Sequence, residues 1–519
     1  MTTLQSREDA LLRRVRAFDW ARLKWCFAAT ALCMLLAHGF AWFNLFPSHD
    51  GTILVFDADV VMLQLGRWVE LLYFRFVRGR INAPWLNGAF TIVWTSLAVY
   101  LVGKLLQLGK KATIALCAVF STAISVTLLY ATYYDKTDLY ACAMFLAVWG
   151  VYAVRRFRCR WWGVLFCSGC LCLAMGLYQG YIEFAIGLFL ICLLRDCLTE
   201  DLAWAEYLRR GVTAVVSLLL GGVLYAVSLK VVLAYKHLEL IDSDNGLQQM
   251  GRAGVADYLA RLPGAYKQVF TTLLGYDVWN NRGMRLATAV CLLLGLACLV
   301  LTLRKKPLRA AVQVVILLVL LPLGLNVSHL LASGNVYILM QHALFLVYLV
   351  PMLLFDGAAL TPVDWKVGGV LVKLLCGFLI LRNILCANGA YVYTKLVYDN
   401  TARQMTQIMA DVGKLDGYEP GITPVAFVGS FTDSQLAYHD PAFSRYEEGD
   451  LHQVNSAVTY DGTIKWWFQH AMGSNAAVIA DSGTLIALGE TQAVQAMPLY
   501  PANGYCAMVD GTAVIKLSD

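Results

Sequence analysis

The chain has 519 residues, 59% of them hydrophobic and only 15% charged, with a formal net charge of +6. Soluble domains carry about 45–50% apolar and about 25% charged residues. At a mean hydropathy of +0.60 the chain has more apolar surface than a water-soluble fold of this length can bury, which excludes a soluble enzyme and leaves a polytopic membrane protein.

Residues 6–24 (SREDALLRRVRAFDWARLK) are basic and amphipathic and are expected to lie on the cytoplasmic face of the membrane. The apolar run 25–46 is long enough to span, and no small-x-small site follows it, so it reads as a retained helix rather than a cleaved signal peptide. A hydrocarbon core of about 30 Å takes about 20 helical residues. By that measure further spans lie at 86–107, 113–132, 138–154, 161–177, 180–195, 211–234, 284–303, 310–328, 337–355 and 367–387. The expected fold class is an all-α polytopic membrane protein with about eleven transmembrane helices. The fifth and sixth spans are short and meet in a tight turn at Tyr178–Gly180.

Lys and Arg set the orientation. With the N-terminus inside, the inner segments (1–24, Lys110 and Lys111, 155–160, 195–210, 304–309 and 356–366) hold 20 of these cations in about 68 residues, and the outer loops 10 in about 106. The C-terminus then lies outside. Two outer loops are long. In 47–85, residues 60–77 are apolar but interrupted by Gln64, Arg67, Glu70 and Arg75, which suits a helix lying in the outer interface better than a span. Loop 235–283 reads as polar loop and short helix, with turn signals at Asp244–Gly246 and Pro263–Gly264.

Composition changes after the last span, so the chain divides into an amphipathic N-terminus (1–24), a membrane domain (25–389) and a soluble extracytoplasmic domain (390–519). Residues 390–414 continue the last helix outward. A turn at 418–421, a strand-like run at 424–430, a helix-like run at 463–472 and the strand-like AVIKL at 513–517 make a small α/β domain. Fourteen of the fifteen cysteines precede residue 387, mostly in apolar runs where they serve as small hydrophobes. Cys167 and Cys170 form a CxxC with no second Cys/His pair at zinc spacing, so a metal is not expected there. Cys386 is within possible reach of Cys506, which has no other cysteine in its domain.

Glu183, Lys230, Arg285, Gln341, His342 and Arg382 fall in the outer third of their helices, and Asp135 and Asp138 at the outer end of the third and fourth spans. Ionisable groups in lipid are costly and usually face a cavity, so a polar cavity opening to the outer leaflet is expected. Arg285 and Arg382 also have a simpler reading as snorkelling side chains. The first outer loop has the densest charge: His49, Asp50, Asp57 and Asp59, then Arg67, Arg75, Arg78 and Arg80. A carboxylate beside such a cavity can act as a general base, and nearby cations can hold a phosphate or neutralise one as it leaves. The alternative is a solvated loop in which Asp59 merely caps the interfacial helix. Two or three of these carboxylates are ligands enough for a divalent ion, although the site as read assigns no metal and no cofactor.

The order SHD, D-x-D, LGRW and RGxIxAPWL in the first outer loop resembles bacterial Gtr-type glucosyltransferases, the type II family of the GT-C class. So do DLYACAMFLAVW at 138–149, MGLYQGYIEFAIGL at 175–188, the segment ANGAYVYTKLVYDNTARQMTQIMADV with GYEPGITPVAFVG, TYDGTIKWWFQHAMG, and the terminal VIKLS. The chain departs in having Cys142 and Ala143 after Asp138–Tyr140, a change of packing. The resemblance implies transfer of a sugar, glucose or another hexose, from a polyprenyl-phosphate donor to a cell-surface glycan or lipid-linked acceptor at the outer face of the plasma membrane. On the matched motifs it makes Asp50 the expected base, Asp57 and Asp59 its fallbacks, and Asp138 a second carboxylate. Arg67, and less directly Lys230 and Arg282, are the expected contacts of the donor phosphate. Residues 395–519 are expected to orient the acceptor, with Trp466, Trp467 and Phe468 available to stack on a sugar. No Gly-rich phosphate loop exists for a nucleotide sugar, and nothing suggests nucleic acid as a partner. The rival reading is a transporter or flippase for a lipid-linked sugar. Such proteins place their sites at the midplane of paired inverted halves, whereas here the polar groups sit high and no such symmetry is visible.

Overall fold

The structure is a computed structural model that describes residues 18–46, 59–157, 160–241, 254–275, 281–332, 336–356, 366–431, 433–436, 440–446, 458 and 461–519. Helix α1 (Trp20–Phe43) starts ahead of its apolar run because the Asp19 carboxylate caps it, accepting the Arg22 N–H at 3.0 Å. The segment expected to lie on the membrane before it is largely outside the described residues.

The first loop returns as α2 (Asp59–Gln64) and α3 (Trp68–Tyr73), the latter running into a π-helical turn, Phe74–Arg78. The single interfacial helix expected over 60–77 is therefore two. Gly66 separates them at φ 79°, a conformation that favours glycine. Helices α4 (Pro84–Leu105), α5 (Lys110–Thr122) and α6 (Ile124–Thr132) follow, the last two split by the extended ψ of 140° at Ala123. A short turn, Tyr134–Lys136, leads into α7 (Thr137–Arg156). Helices α8 (Trp161–Leu177) and α9 (Ile182–Thr199) are joined by the expected tight turn, closed by Gln179–Tyr181.

Beyond α10 (Trp204–Lys236) lies α11 (Val255–Leu274). Pro263 sits inside α11 rather than in the expected turn. The helix survives because Ala265, Val269 and Leu273 bury one stripe at helical spacing. The turn expected at Asp244–Gly246 is outside the described residues. Helices α12 (Arg282–Leu303), α13 (Leu308–Gly324), α14 (Val327–Leu331) and α15 (Leu349–Phe355) complete the bundle. The expected span at 337–355 is mostly 3-10 helix, Ile338–Met340 and His342–Tyr348, before α15 begins. Among the described residues seven helical segments are long and apolar enough to cross a membrane, and three shorter apolar ones accompany them (Trp161–Leu177, Leu308–Gly324 and His342–Phe355). The protein is a multi-pass membrane protein.

Helix α16 runs unbroken from Lys366 to Val412, 47 residues and so about 70 Å, more than twice a bilayer core. Its far end enters a small C-terminal domain built on a mixed sheet. There β1 (Pro424–Val428) is followed by α17 (Asp433–Leu436), α18 (Asp461–Trp466), β2 (Ala477–Val478), α19 (Ser482–Gly489), α20 (Gln492–Gln495), β3 (Cys506–Val509) and β4 (Thr512–Lys516). The strand order is β2-β1-β4-β3, with β1 parallel to β2 and β4, and β3 antiparallel to β4. Met405, Ile408 and Val412 of α16 share one core with Phe427, Trp467, Phe468 and Ile515. Cys167 and Cys170 of the CxxC are buried and lie against Gly150 of α7. Cys386 and Cys506 are free thiols, so no cross-link joins them.

Candidate active site

The bend at Gly66 turns α3 so that its charged residues point inward, against the start of α7. Glu70 is fully buried and accepts a hydrogen bond from Lys136 Nζ at 2.8 Å. Lys136 lies 3.5 Å from Asp135, and Arg67 lies 3.9 Å from Glu70. Arg78 closes the π-helical turn. Its Nη1 donates to Asp138 Oδ1 and to the Asp135 carbonyl, both at 2.7 Å, and its Nη2 donates to Asn82 Oδ1 at 2.8 Å. The Phe74 ring lies beneath both the Arg78 and the Lys136 cations, 4.6 and 5.4 Å from its centroid.

A second set of contacts ties this cluster to the turn between α8 and α9. The Arg67 guanidinium sits 5.1 Å over the Tyr178 ring, and Tyr178 stacks on Tyr140 of α7 at 4.1 Å. Gln179 Nε2 donates to the Leu65 carbonyl and to the Tyr225 hydroxyl, which in turn donates to the Gly66 carbonyl. The LGRW, RGxIxAPWL, DLY and LYQ stretches, far apart in the chain, therefore meet in one place.

The result is three cations (Arg67, Arg78, Lys136) packed with three carboxylates (Glu70, Asp135, Asp138). Burying so many charges is expensive unless each is paired. The pairing is incomplete. Among the described residues Glu70 Oε1 and Asp135 Oδ1 accept no hydrogen bond and the Nε of Arg67 and of Arg78 donates none, while Asp138 has the Tyr73 hydroxyl beside it in addition to Arg78. A buried unsatisfied polar atom typically costs about 1–3 kcal/mol, so these groups are where the cluster can take up a ligand or ordered water. It offers cations to an anionic ligand and carboxylate oxygens to a proton donor.

The sequence candidates are distributed unevenly. Asp138 and Arg67 lie in the cluster. Asp59 does not: it is partly exposed and held by both terminal nitrogens of Arg80, at 2.7 and 2.8 Å. Asp50 and Asp57 lie outside the described residues. Lys230 and Arg282 are exposed on α10 and α12, and among the described residues neither pairs with the cluster. Sequence reasoning missed Lys136 altogether and took Glu70 only as an interruption of an apolar run. The available signals were the i,i+3 pair Arg67–Glu70 and the acidic neighbours on either side of Lys136.

Of the remaining outer-third polar residues, Lys230 is exposed and Arg285 Nε donates to the Leu274 carbonyl at 2.7 Å, while Glu183, Gln341 and His342 are buried, each with its own partners. Ser328 donates its N–H and its hydroxyl to Glu183 Oε1. Asn326 Nδ2 donates to the Ala265 carbonyl and to Gln268, while Gln341 donates to Asn326 and accepts from Thr272. His342 pairs with the Ser125 hydroxyl at 2.8 Å. Among the described residues Glu183, Gln341 and His342 are thus bonded in separate sets, where one open polar cavity was expected. Trp467 and Phe468 are fully buried in the core of the C-terminal sheet domain and cannot stack on a ligand.

Comparison with curated proteins and with solved structures finds no match. The family model described as Glucosyl transferase GtrII matches residues 39–355, which takes in the charged loop, α7 and the α8–α9 turn. That match spans more than half of the chain, so the chain belongs to the glucosyl transferase GtrII family and is a glucosyltransferase.

Proposed function

We propose that the protein moves a glucosyl unit from a polyprenyl-phosphate donor to a cell-surface glycan or lipid-linked acceptor on the outer face of the plasma membrane, as a GT-C-class enzyme with about eleven spans. The observation that carries this reading is the convergence of Arg67, Arg78 and Lys136 at one end of the bundle. α7 runs from that end to Arg155 and Arg156, and the excess of Lys and Arg in the loops of the far end supports a cytoplasmic assignment there. Cations at the other end then meet the outer leaflet, where a lipid phosphate lies.

The reaction is a single displacement. A carboxylate takes the proton of an acceptor hydroxyl, the oxygen attacks the anomeric carbon, and the bond from that carbon to the phosphate oxygen breaks. The polyprenyl phosphate leaves with both electrons of that bond, and the anomeric configuration inverts. A phosphate leaving group needs charge neutralisation more than protonation, and among the described residues Arg67 is the cation of the cluster least committed to carboxylates, with Glu70 at 3.9 Å. Asp138 is tied to Arg78 and acts as a positioning residue for it. Asp50 remains the proposed base. The test is glucose transfer by the detergent-purified protein from synthetic polyprenyl-phosphate glucose, with the anomeric configuration of the product read by NMR. No release of polyprenyl phosphate, or retention at the anomeric carbon, would overturn the reading.

A further inference from the structure

The C-terminal sheet domain holds a second candidate site. Strand β1 lies between β2 and β4, parallel to both, and the chain leaves β1 for β2 before crossing back to β4. In open α/β sheets, ligands bind in the crevice outside the carboxyl ends of the strands at such a switch point. Here that crevice is a cleft of about 810 Å³ between the ends of β1 and β4 and helix α19, within the range of about 300–1,000 Å³ usual for ligand sites. Gly429 shapes it. At φ 81° a Cβ there would collide with Ser518, so glycine lets the two strand ends close on each other, and the Ser430 N–H then donates to Ser518 Oγ at 3.1 Å.

The lining specifies the ligand class. Its floor is apolar (the buried Val428 and Leu485), the exposed Ile486 stands at its edge, and its polar lining is the hydroxyls of Ser430, Ser482 and Ser518 with the Glu490 and Asp519 carboxylates. Lys516 is the cation of the lining and is already committed, donating to the Gln495 carbonyl at 3.1 Å and paired with Asp519 at 2.9 Å. One cation against two carboxylates gives the lining a net negative charge, which disfavours a phosphate or other anion. Small hydroxyls and a carboxylate over an apolar floor suit a neutral polyhydroxylated ligand, whose hydroxyls bond the rim while its C–H face rests on the floor.

We propose that this cleft binds a saccharide unit of the glycan acceptor, at a site whose lining shares no residue with the charge cluster. The proposal rests on the acceptor reading above and gives it a location. Binding energy from parts of a substrate that do not react can be used to orient the part that does, and a polymer held at the far end of α16 supplies such energy.

The experiment is calorimetric titration of the full-length protein in detergent with cell-surface polysaccharide released from the source cell by mild acid and freed of lipid. Ser430→Trp and Ser482→Trp fill the mouth from exposed positions, and Glu490→Gln removes a charged acceptor while keeping its shape. Wild type is expected to bind, each Trp variant to bind at least about tenfold more weakly, Glu490→Gln to weaken binding about threefold to tenfold, and inorganic phosphate not to compete. Absence of wild-type binding, equal binding by both Trp variants at unchanged melting temperature, or displacement by phosphate would each overturn the cleft assignment. Because no donor is present, failure of glucosyl transfer would leave the binding result standing. Transfer that persists without cleft binding would remove the cleft and not the activity.

Discussion

Removing the Asp138 carboxylate tests whether the charge cluster is a closed electrostatic unit. Both side chains of the Arg78–Asp138 pair are fully inaccessible, at a separation of 2.7 Å. In Asp138→Ala the Arg78 guanidinium keeps, among the described residues, neutral acceptors such as the Asp135 carbonyl and Asn82, and breaking a buried pair this way costs about 3–5 kcal/mol. Asp138→Asn keeps an acceptor but loses the charge, for a smaller loss of about 1.5–3 kcal/mol. Replacing both partners, Arg78→Met with Asp138→Leu, removes the stranded charge, and such swaps are often neutral or stabilising by about 1–4 kcal/mol. The double variant should therefore melt above Asp138→Ala. Unfolding can be followed with a thiol-reactive fluorogenic dye, since buried free cysteines such as Cys117, Cys142 and Cys167 react only when the bundle opens. The Ala variant should shift the midpoint down by on the order of a few degrees. The double variant should stay folded yet lose glucosyl transfer, which separates stability from chemistry. Wild-type melting by Asp138→Ala, or a double variant no better than the single, would refute the argument from a stranded cation.

Asp50→Asn should lower turnover by about 10²–10⁴-fold with donor binding retained; if Asp57→Asn or Asp59→Asn does so instead, the base lies further along the loop. Arg67→Ala should raise the KM for polyprenyl-phosphate glucose by about tenfold or more through loss of a charge-assisted phosphate contact, and unchanged donor kinetics would remove Arg67 from the site. Asp59→Asn should change stability by less than about 1 kcal/mol, because its pair with Arg80 is solvent-exposed. Trp467→Ala should destabilise the C-terminal sheet domain by about 3–5 kcal/mol, since the ring is fully buried; a domain that kept its melting temperature but lost glycan binding would restore a stacking role.

Much of the helical order of the membrane domain was legible in the chain itself. Span length and hydropathy located α1, α4, α7, α12 and the membrane part of α16, because in lipid a backbone must satisfy its own hydrogen bonds and only a helix of sufficient length does so. The turn at Tyr178–Gly180 and the ends of the sheet domain, β1 and β4, were visible for the same local reason. Where packing competes with local signal, the reading faltered. Pro263 stays within α11 because the buried stripe of Ala265, Val269 and Leu273 compensates for one lost hydrogen bond, and residues 338–348 take 3-10 geometry that no hydropathy window reveals. The site divides along the same line. Sequence could nominate Arg67 and Asp138 by type and place, but it could not pair them, since Arg78 meets Asp138 across 60 residues and Lys136 meets Glu70 across 66. Trp466, Trp467 and Phe468 made a plausible sugar platform in one dimension, and only the closed core of the C-terminal sheet domain turned Trp467 and Phe468 inward. Local composition fixes which residues are costly to bury. Which of them are buried together, and therefore which charges neutralise one another, is decided by the tertiary structure, because Coulomb and desolvation energies depend on distance in space and not on separation along the chain.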